Sequence, residues 1–131
     1  MNFIERSITQ LILGNLKPNK VVVLLGARRT GKSVLIKKII SILNEKHLFL
    51  DGDDFTTFSL FEPRTIENFR LLLGSTKLMV IDEAQQIPDL GKSLKLIVDH
   101  IPDIKILITG SSAFDISNKT GEPLTGRKTT F

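Results

Sequence analysis

The chain has no cysteine, no tryptophan and no tyrosine. Without thiols there are no disulfides and no thiolate metal sites, and two well-separated histidines, His47 and His100, leave little for a zinc centre. The only metal expected is one that accompanies a ligand. The eight phenylalanines are the whole aromatic complement, and several fall at core positions, which leaves few platforms for stacking nucleic-acid bases. No apolar stretch approaches the ~20 residues of a membrane span. The N-terminus also lacks a basic segment followed by an apolar core and a cleavage site, so a cytoplasmic protein without membrane attachment is expected. Charge of neither sign dominates: 18 Lys and Arg against 14 Asp and Glu give a net charge of +4. That balance favours anionic partners in general. The basic residues are scattered, so nucleic acid is not strongly indicated.

What is present is enough for one compact domain. At 131 residues and 41% hydrophobic, the chain is long enough to cover both faces of a small sheet. Ile4, Ile8, Leu11 and Ile12 recur at helical spacing and predict a first helix to about Gly14, set off as residues 1–16 from a core over 17–131. Pro18-Asn19 breaks the chain, and residues 20–25 form a wholly apolar strand of the kind buried on both faces of a parallel sheet. Val34, Leu35, Ile36, Ile39, Ile40, Ile42 and Leu43 predict a helix that packs on that sheet. His47 to Leu50 is a second strand ending in the acidic turn Asp51-Gly52-Asp53-Asp54, and residues 55–64 show no clear period. Thr65 reads as a helix cap and Gly74 as its stop. Lys77–Ile81 is a third strand, Leu90 to Ile101 a helical stripe and Ile104–Thr109 a fourth strand. Arg127 to Phe131 hints at a fifth. Strands alternating with helices imply right-handed βαβ units in a three-layer α/β fold with a mainly parallel sheet.

The decisive motif is Gly26-Ala27-Arg28-Arg29-Thr30-Gly31-Lys32-Ser33, a full match to G-x-x-x-x-G-K-[ST] set between a strand and a helix. Glycines let the backbone curl so that N–H groups face phosphate oxygens, and the start of the following helix, through Val34, adds its positive end. The expected ligand is a nucleoside triphosphate, with Lys32 reaching the β- and γ-phosphates and Ser33 ligating Mg²⁺.

A second constellation follows the third strand. Leu78-Met79-Val80-Ile81-Asp82-Glu83 has the pattern of a Walker B strand, which assigns Asp82 to the metal and Glu83 to activation of a water. An exposed acidic turn is the bland alternative. Gln85 and Gln86 are read either as amides that orient water or report nucleotide state, or as solvated residues at a helix start. Thr109 or Ser111, at the carboxyl end of the fourth strand, stands where a γ-phosphate would be sensed. A turn held by local serine hydrogen bonds is the alternative.

Taken together, Gly26-x-Arg28-Arg29-x-Gly31-Lys32-Ser33, Leu50-Asp51-x-Asp53, Ile81-Asp82-Glu83-x-Gln85, Ile108-Thr109-Gly110-Ser111-Ser112 and Leu124-Thr125-Gly126-Arg127 resemble the AAA-like ATPase domain of a large family of bacterial and archaeal ATP-binding proteins. The likeness runs from about residue 17 to the end. It implies an additional-strand P-loop NTPase with strand order 5-1-4-3-2, ATP and Mg²⁺ as ligands, and hydrolysis to ADP and phosphate. It also implies further C-terminal regions, which would supply a lid and a completing arginine. Their lack predicts a C-terminally truncated domain with an incomplete fifth strand and weak turnover. Arg127 matches the family's Leu-x-Gly-Arg motif and is the candidate arginine within this chain. Arg28 and Arg29 match its phosphate-loop arginines, with exposed loop residues as the alternative. Adenine over guanine rests on the resemblance alone.

Two other functions stay open. Asp51-Gly52-Asp53 resembles the substrate side of small-molecule P-loop kinases, although Glu83 directly after Asp82 suits water activation better. A nucleotide-binding interaction module that does not hydrolyse is the third reading, with a protein partner or self-association in place of chemistry.

Overall fold

The computed structural model describes residues 3–26, 31–111, 124 and 126–131. In chain order its elements are α1 (Phe3–Asn15), β1 (Lys20–Leu25), α2 (Lys32–Leu43), β2 (His47–Asp51), α3 (Phe55–Phe61), α4 (Ile66–Leu73), β3 (Leu78–Asp82), a 3-10 turn at Ala84–Gln86, α5 (Leu90–His100), β4 (Lys105–Gly110) and β5 (Lys128–Thr130). The sheet runs β2-β3-β4-β1-β5. That is the expected 5-1-4-3-2 order read from the other edge, and every pairing is parallel.

Both faces of the sheet are covered, and the strands' alternation decides what covers each. Val21, Val23, Met79, Ile81, Ile106 and Ile108 enter one core with Phe61, Phe69 and Leu73 from α3 and α4 and Leu94 and Ile97 from α5. Val22, Leu24, Leu78, Val80 and Leu107 point the other way, into a core closed by Ile12 and Leu16 of the α1 region and Ile36 and Ile39 of α2. Strands buried on two faces have no polar face to show, which is why they read in sequence as unbroken apolar runs.

The predicted elements recur with end shifts of one or two residues. Thr65 caps α4 by accepting from Asn68 N at 3.1 Å, and Gly74 ends it in a left-handed turn. α3 was not expected from the sequence. Asp54 starts it by accepting from Thr56 N at 2.9 Å, and Phe61 packs edge-on against Phe69 of α4. At the amino edge of the sheet, the Asn19 side-chain amide donates at 2.8 Å to the carbonyls of Val98 and Ile101, tying the end of α5 to the entry of β1. Among the described residues, no helix is long and apolar enough to cross a membrane.

Candidate functional site

A parallel sheet gathers the carboxyl ends of its strands on one edge, where open α/β folds bind ligands. Gly26, just past β1, donates its N–H to the Gly110 carbonyl of β4 at 3.0 Å. Ala27, Arg28, Arg29 and Thr30 lie outside the described residues. The chain re-enters at Gly31 with φ 86°, a left-handed conformation that glycine takes without strain. From there it passes directly into α2, so Lys32 and Ser33 stand on that helix's first turn, where backbone N–H groups have no partner within the helix.

Lys32 is buried (7% exposed). Its ammonium donates to Glu83 Oε1 at 2.7 Å and lies 3.8 Å from Asp82 Oδ1. A charge so withdrawn from water requires such a partner. The carboxylates come from the end of β3. Asp82 is its last residue, and Glu83 turns away with φ 49°, an uncommon conformation for a side chain of this size. The turn is held from three sides. Glu83 N donates to Asp82 Oδ1 at 3.1 Å and to Thr109 Oγ1 at 3.2 Å. The Thr109 hydroxyl donates to Asp82 Oδ1. Gly52 N donates to the Asp82 carbonyl at 2.6 Å.

Gly52 approaches so closely that a Cβ placed on it would lie 2.1 Å from the Glu83 carbonyl oxygen and 2.7 Å from that of Asp82. Both are backbone atoms of the site and cannot swing aside. Gly52→Ala is therefore expected to destabilise the fold by about 3 kcal/mol, by thermal unfolding, and to weaken ligand binding because Asp82 and Glu83 must move.

Glu83 is 4% exposed and its second oxygen is also occupied. Gln85 Nε2 donates to Glu83 Oε2 at 2.7 Å, and Ser111 Oγ lies 3.3 Å from both groups. Gln85 is thus buried rather than a solvated helix-start residue, whereas Gln86 is exposed. Among the described residues, Ser111 bonds to Glu83 and Gln85. Ser112 lies outside the described residues. Lys32, Ser33 and Val34 from α2, Asp51 at the end of β2, Asp53 just beyond it, and Asp82 and Glu83 line one cavity of about 480 Å³.

The sequence profile of an AAA domain family matches residues 18–131. The chain belongs to this AAA domain family. The domain is 33% identical over 112 residues to the uncharacterised protein Rv2008c of Mycobacterium tuberculosis, covering 82% of this chain and 23% of that protein. In structure it is similar to the Pif1 helicase from Candida albicans, with a TM-score of 0.63 at 14% identity over 99% of this chain and 39% of that one. It is similar also to the replication initiator DnaA bound to AMPPCP and single-stranded DNA, with a TM-score of 0.58 at 16% identity over 99% of this chain and 46% of that one. The domain thus spans less than a quarter of the length of the Mycobacterium tuberculosis protein, and the structural likeness shows the fold. Family membership supports nucleotide binding as the domain's role.

One expected member does not join the site. Arg127 precedes β5, and its carbonyl accepts from Val21 N at the start of β1, about 16 Å along the strand from Gly26 at ~3.3 Å per residue. Its guanidinium pairs instead with Asp99 near the end of α5. The structure does not bring Arg127, the candidate arginine within this chain, to the cavity: a parallel fifth strand must enter from the edge opposite it, and Arg127 stands there.

That pair has a stability role. The Asp99 carboxyl is held below its ordinary value of 3.8, first by the hydrogen bond from Arg127 and then by the one from Lys95. Because folding lowers this value, the stabilisation is complete above about pH 4 and is lost as pH falls through the depressed folded value. Arg127→Met should lower Tm by about 3 °C near neutral pH, as expected for a partly exposed pair. The difference from the unsubstituted protein should close in melts run at progressively lower pH.

Proposed function

We propose that this domain binds Mg²⁺ and ATP in the 480 Å³ cavity and hydrolyses ATP to ADP and phosphate. The observation that carries the reading is the convergence of Lys32, Ser33, Asp82 and Glu83 on one cavity at the carboxyl edge of a parallel sheet. The triphosphate would lie against the first turn of α2, whose N–H groups suit phosphate oxygens. Lys32 would leave Glu83 to meet the β- and γ-phosphates. Four carboxylates and one lysine line this cavity, an arrangement hostile to a bare polyanion and suited to one that arrives with a divalent cation. The Ser33 hydroxyl and the Asp82 carboxylate are hard oxygen donors, the type Mg²⁺ takes alongside water and phosphate oxygens. Magnesium would supply charge neutralisation on the phosphates.

Glu83 would then act as general base toward a water. Its second oxygen is anchored by Gln85 and Ser111, so Lys32 can depart from the first without the side chain losing its position. Thr109, bonded to Asp82 Oδ1, would hold the metal-side carboxylate in place. An arginine from outside this chain's own cavity would raise the rate further, by 10³–10⁵ where such residues act. We also propose a cytoplasmic location, and adenine as the base, the latter resting on the family resemblance.

Phosphate release under single-turnover conditions, together with calorimetric titration of Mg·ATP, tests the reading. Binding followed by release that needs Glu83 supports it, and binding with no release leaves a nucleotide-binding module. Asp51 and Asp53 line the same cavity, which is the observation that favours the kinase reading. A kinase would keep its phosphoryl transfer rate when Glu83 is replaced.

A further inference from the structure

The Gln85 side chain is 8% exposed and its two ends are treated unequally. Its Nε2 donates to Glu83 Oε2 at 2.7 Å and to Ser111 Oγ at 3.3 Å, which uses both amide hydrogens and fixes which way the group points. Its Oε1 is buried and accepts no hydrogen bond among the described residues. Buried amide oxygens are seldom left so, and one beside a ligand cavity points to a donor that arrives with the ligand. Phosphate oxygens are acceptors and cannot fill that role. Lys32 and an incoming arginine are drawn to the phosphates, which leaves water as the donor for this oxygen.

We infer that Gln85 holds the attacking water, its Oε1 accepting one O–H of the water whose other proton passes to Glu83. The inference rests on the hydrolytic reading above and adds a second water-holding residue to it. In the step, the water oxygen forms a bond to the γ-phosphorus. The bond from that phosphorus to the β–γ bridging oxygen breaks, and its electron pair leaves with ADP. Glu83 takes the water proton, and none moves to Gln85. One carboxylate oxygen and one amide oxygen, linked through the Gln85 Nε2 bond to Glu83, would fix the water's lone pair on the phosphorus. A single acceptor would leave the water free to rotate about one hydrogen bond, and this loss of orientation is what the second acceptor prevents.

The test compares the unsubstituted protein with Gln85→Met, which keeps the side chain's length and removes both donor and acceptor. Single-turnover phosphate release should fall roughly 30-fold, while the Kd for Mg·ATP changes by less than about twofold. A second readout needs no turnover. Affinity for Mg·ADP with aluminium fluoride, whose planar group is completed by an in-line water, should fall in step with the rate. Affinity with beryllium fluoride, which mimics the unreacted phosphate, should stay unchanged. Equal losses in both complexes, or loss in neither, would overturn the inference and leave Gln85 as a packing residue. If the unsubstituted protein neither releases phosphate nor forms the aluminium fluoride complex, the hydrolytic reading falls and this inference with it. Should Gln85→Met fail to fold, the side-chain ¹⁵N–¹H resonances of Gln85 serve instead. They should shift with aluminium fluoride beyond the shift seen with beryllium fluoride, and the same shift with both would overturn the inference.

Discussion

Replacing Glu83 by Gln is expected to slow phosphate release from Mg·ATP by 10²–10⁴, the range a general base contributes, while ATP binds about tenfold more tightly. The two changes have one origin. Glu83 Oε1 holds the Lys32 ammonium at 2.7 Å, so a triphosphate must compete with a buried carboxylate for the same cation. A glutamine amide still fills the space and still offers an oxygen to Lys32, but without the charge it is a weaker competitor, and it cannot take a proton from water. Calorimetry and a quenched single-turnover assay read the two effects separately. A variant with unchanged release would remove Glu83 from the chemistry, and one with weaker ATP binding would remove the competition.

Lys32→Met is expected to weaken ATP binding by about 100-fold, since charge-assisted bonds to phosphate are worth about 1.5–3 kcal/mol. This variant should also unfold more readily. Glu83 is 4% exposed, and deleting the partner of a buried charge costs about 3 kcal/mol, or roughly 10 °C in Tm. The double replacement Lys32→Met with Glu83→Gln separates the roles. It should recover most of the melting temperature, because no uncompensated carboxylate is left buried, and recover none of the ATP affinity. If affinity returned along with stability, the loss in Lys32→Met would belong to the fold and not to a phosphate contact. Residues in direct contact are where such non-additivity is expected.

Much of this arrangement was legible in the sequence for identifiable reasons. The strands were readable because a sheet covered on both faces demands apolar residues at consecutive positions, as in Val21–Leu25 and Leu78–Ile81. The strand order came with the family resemblance. That the phosphate loop and the carboxylates Asp82 and Glu83 share one sheet edge followed from both motifs ending apolar strands, whereas the direct pair of Lys32 with Glu83 was not foreseen. Three further features were not readable. α3 carries no charge to mark its polar face, and its only boundary signal was Asp54, which lies within a run of acidic residues. Gln85 was indistinguishable from its neighbour Gln86 until the left-handed turn at Glu83 and the 3-10 turn after it set one inward and the other outward. The distance of Arg127 from the cavity was the third, because a motif gives the order of residues but not the end of the sheet at which they stand, and parallel pairing of Lys128 with Val21 sets that.

The topology also governs how this domain is made. β2 and β3 are close in the chain and pair directly with each other, but β1 lies between β4 and β5, the two of the five strands farthest from it along the chain. A ribosome that has just released Leu25 must add residues through Gly110 before β1 gains its first neighbour. At about 5–20 residues per second this takes roughly 4–17 s. During that interval Val21–Leu25 is an open, strongly apolar strand with both edges bare, the kind of segment that pairs with other chains. The strand that leads into the ligand cavity is therefore the part of the nascent protein most in need of a chaperone, and a polysome stalled before residue 105 would display it longest.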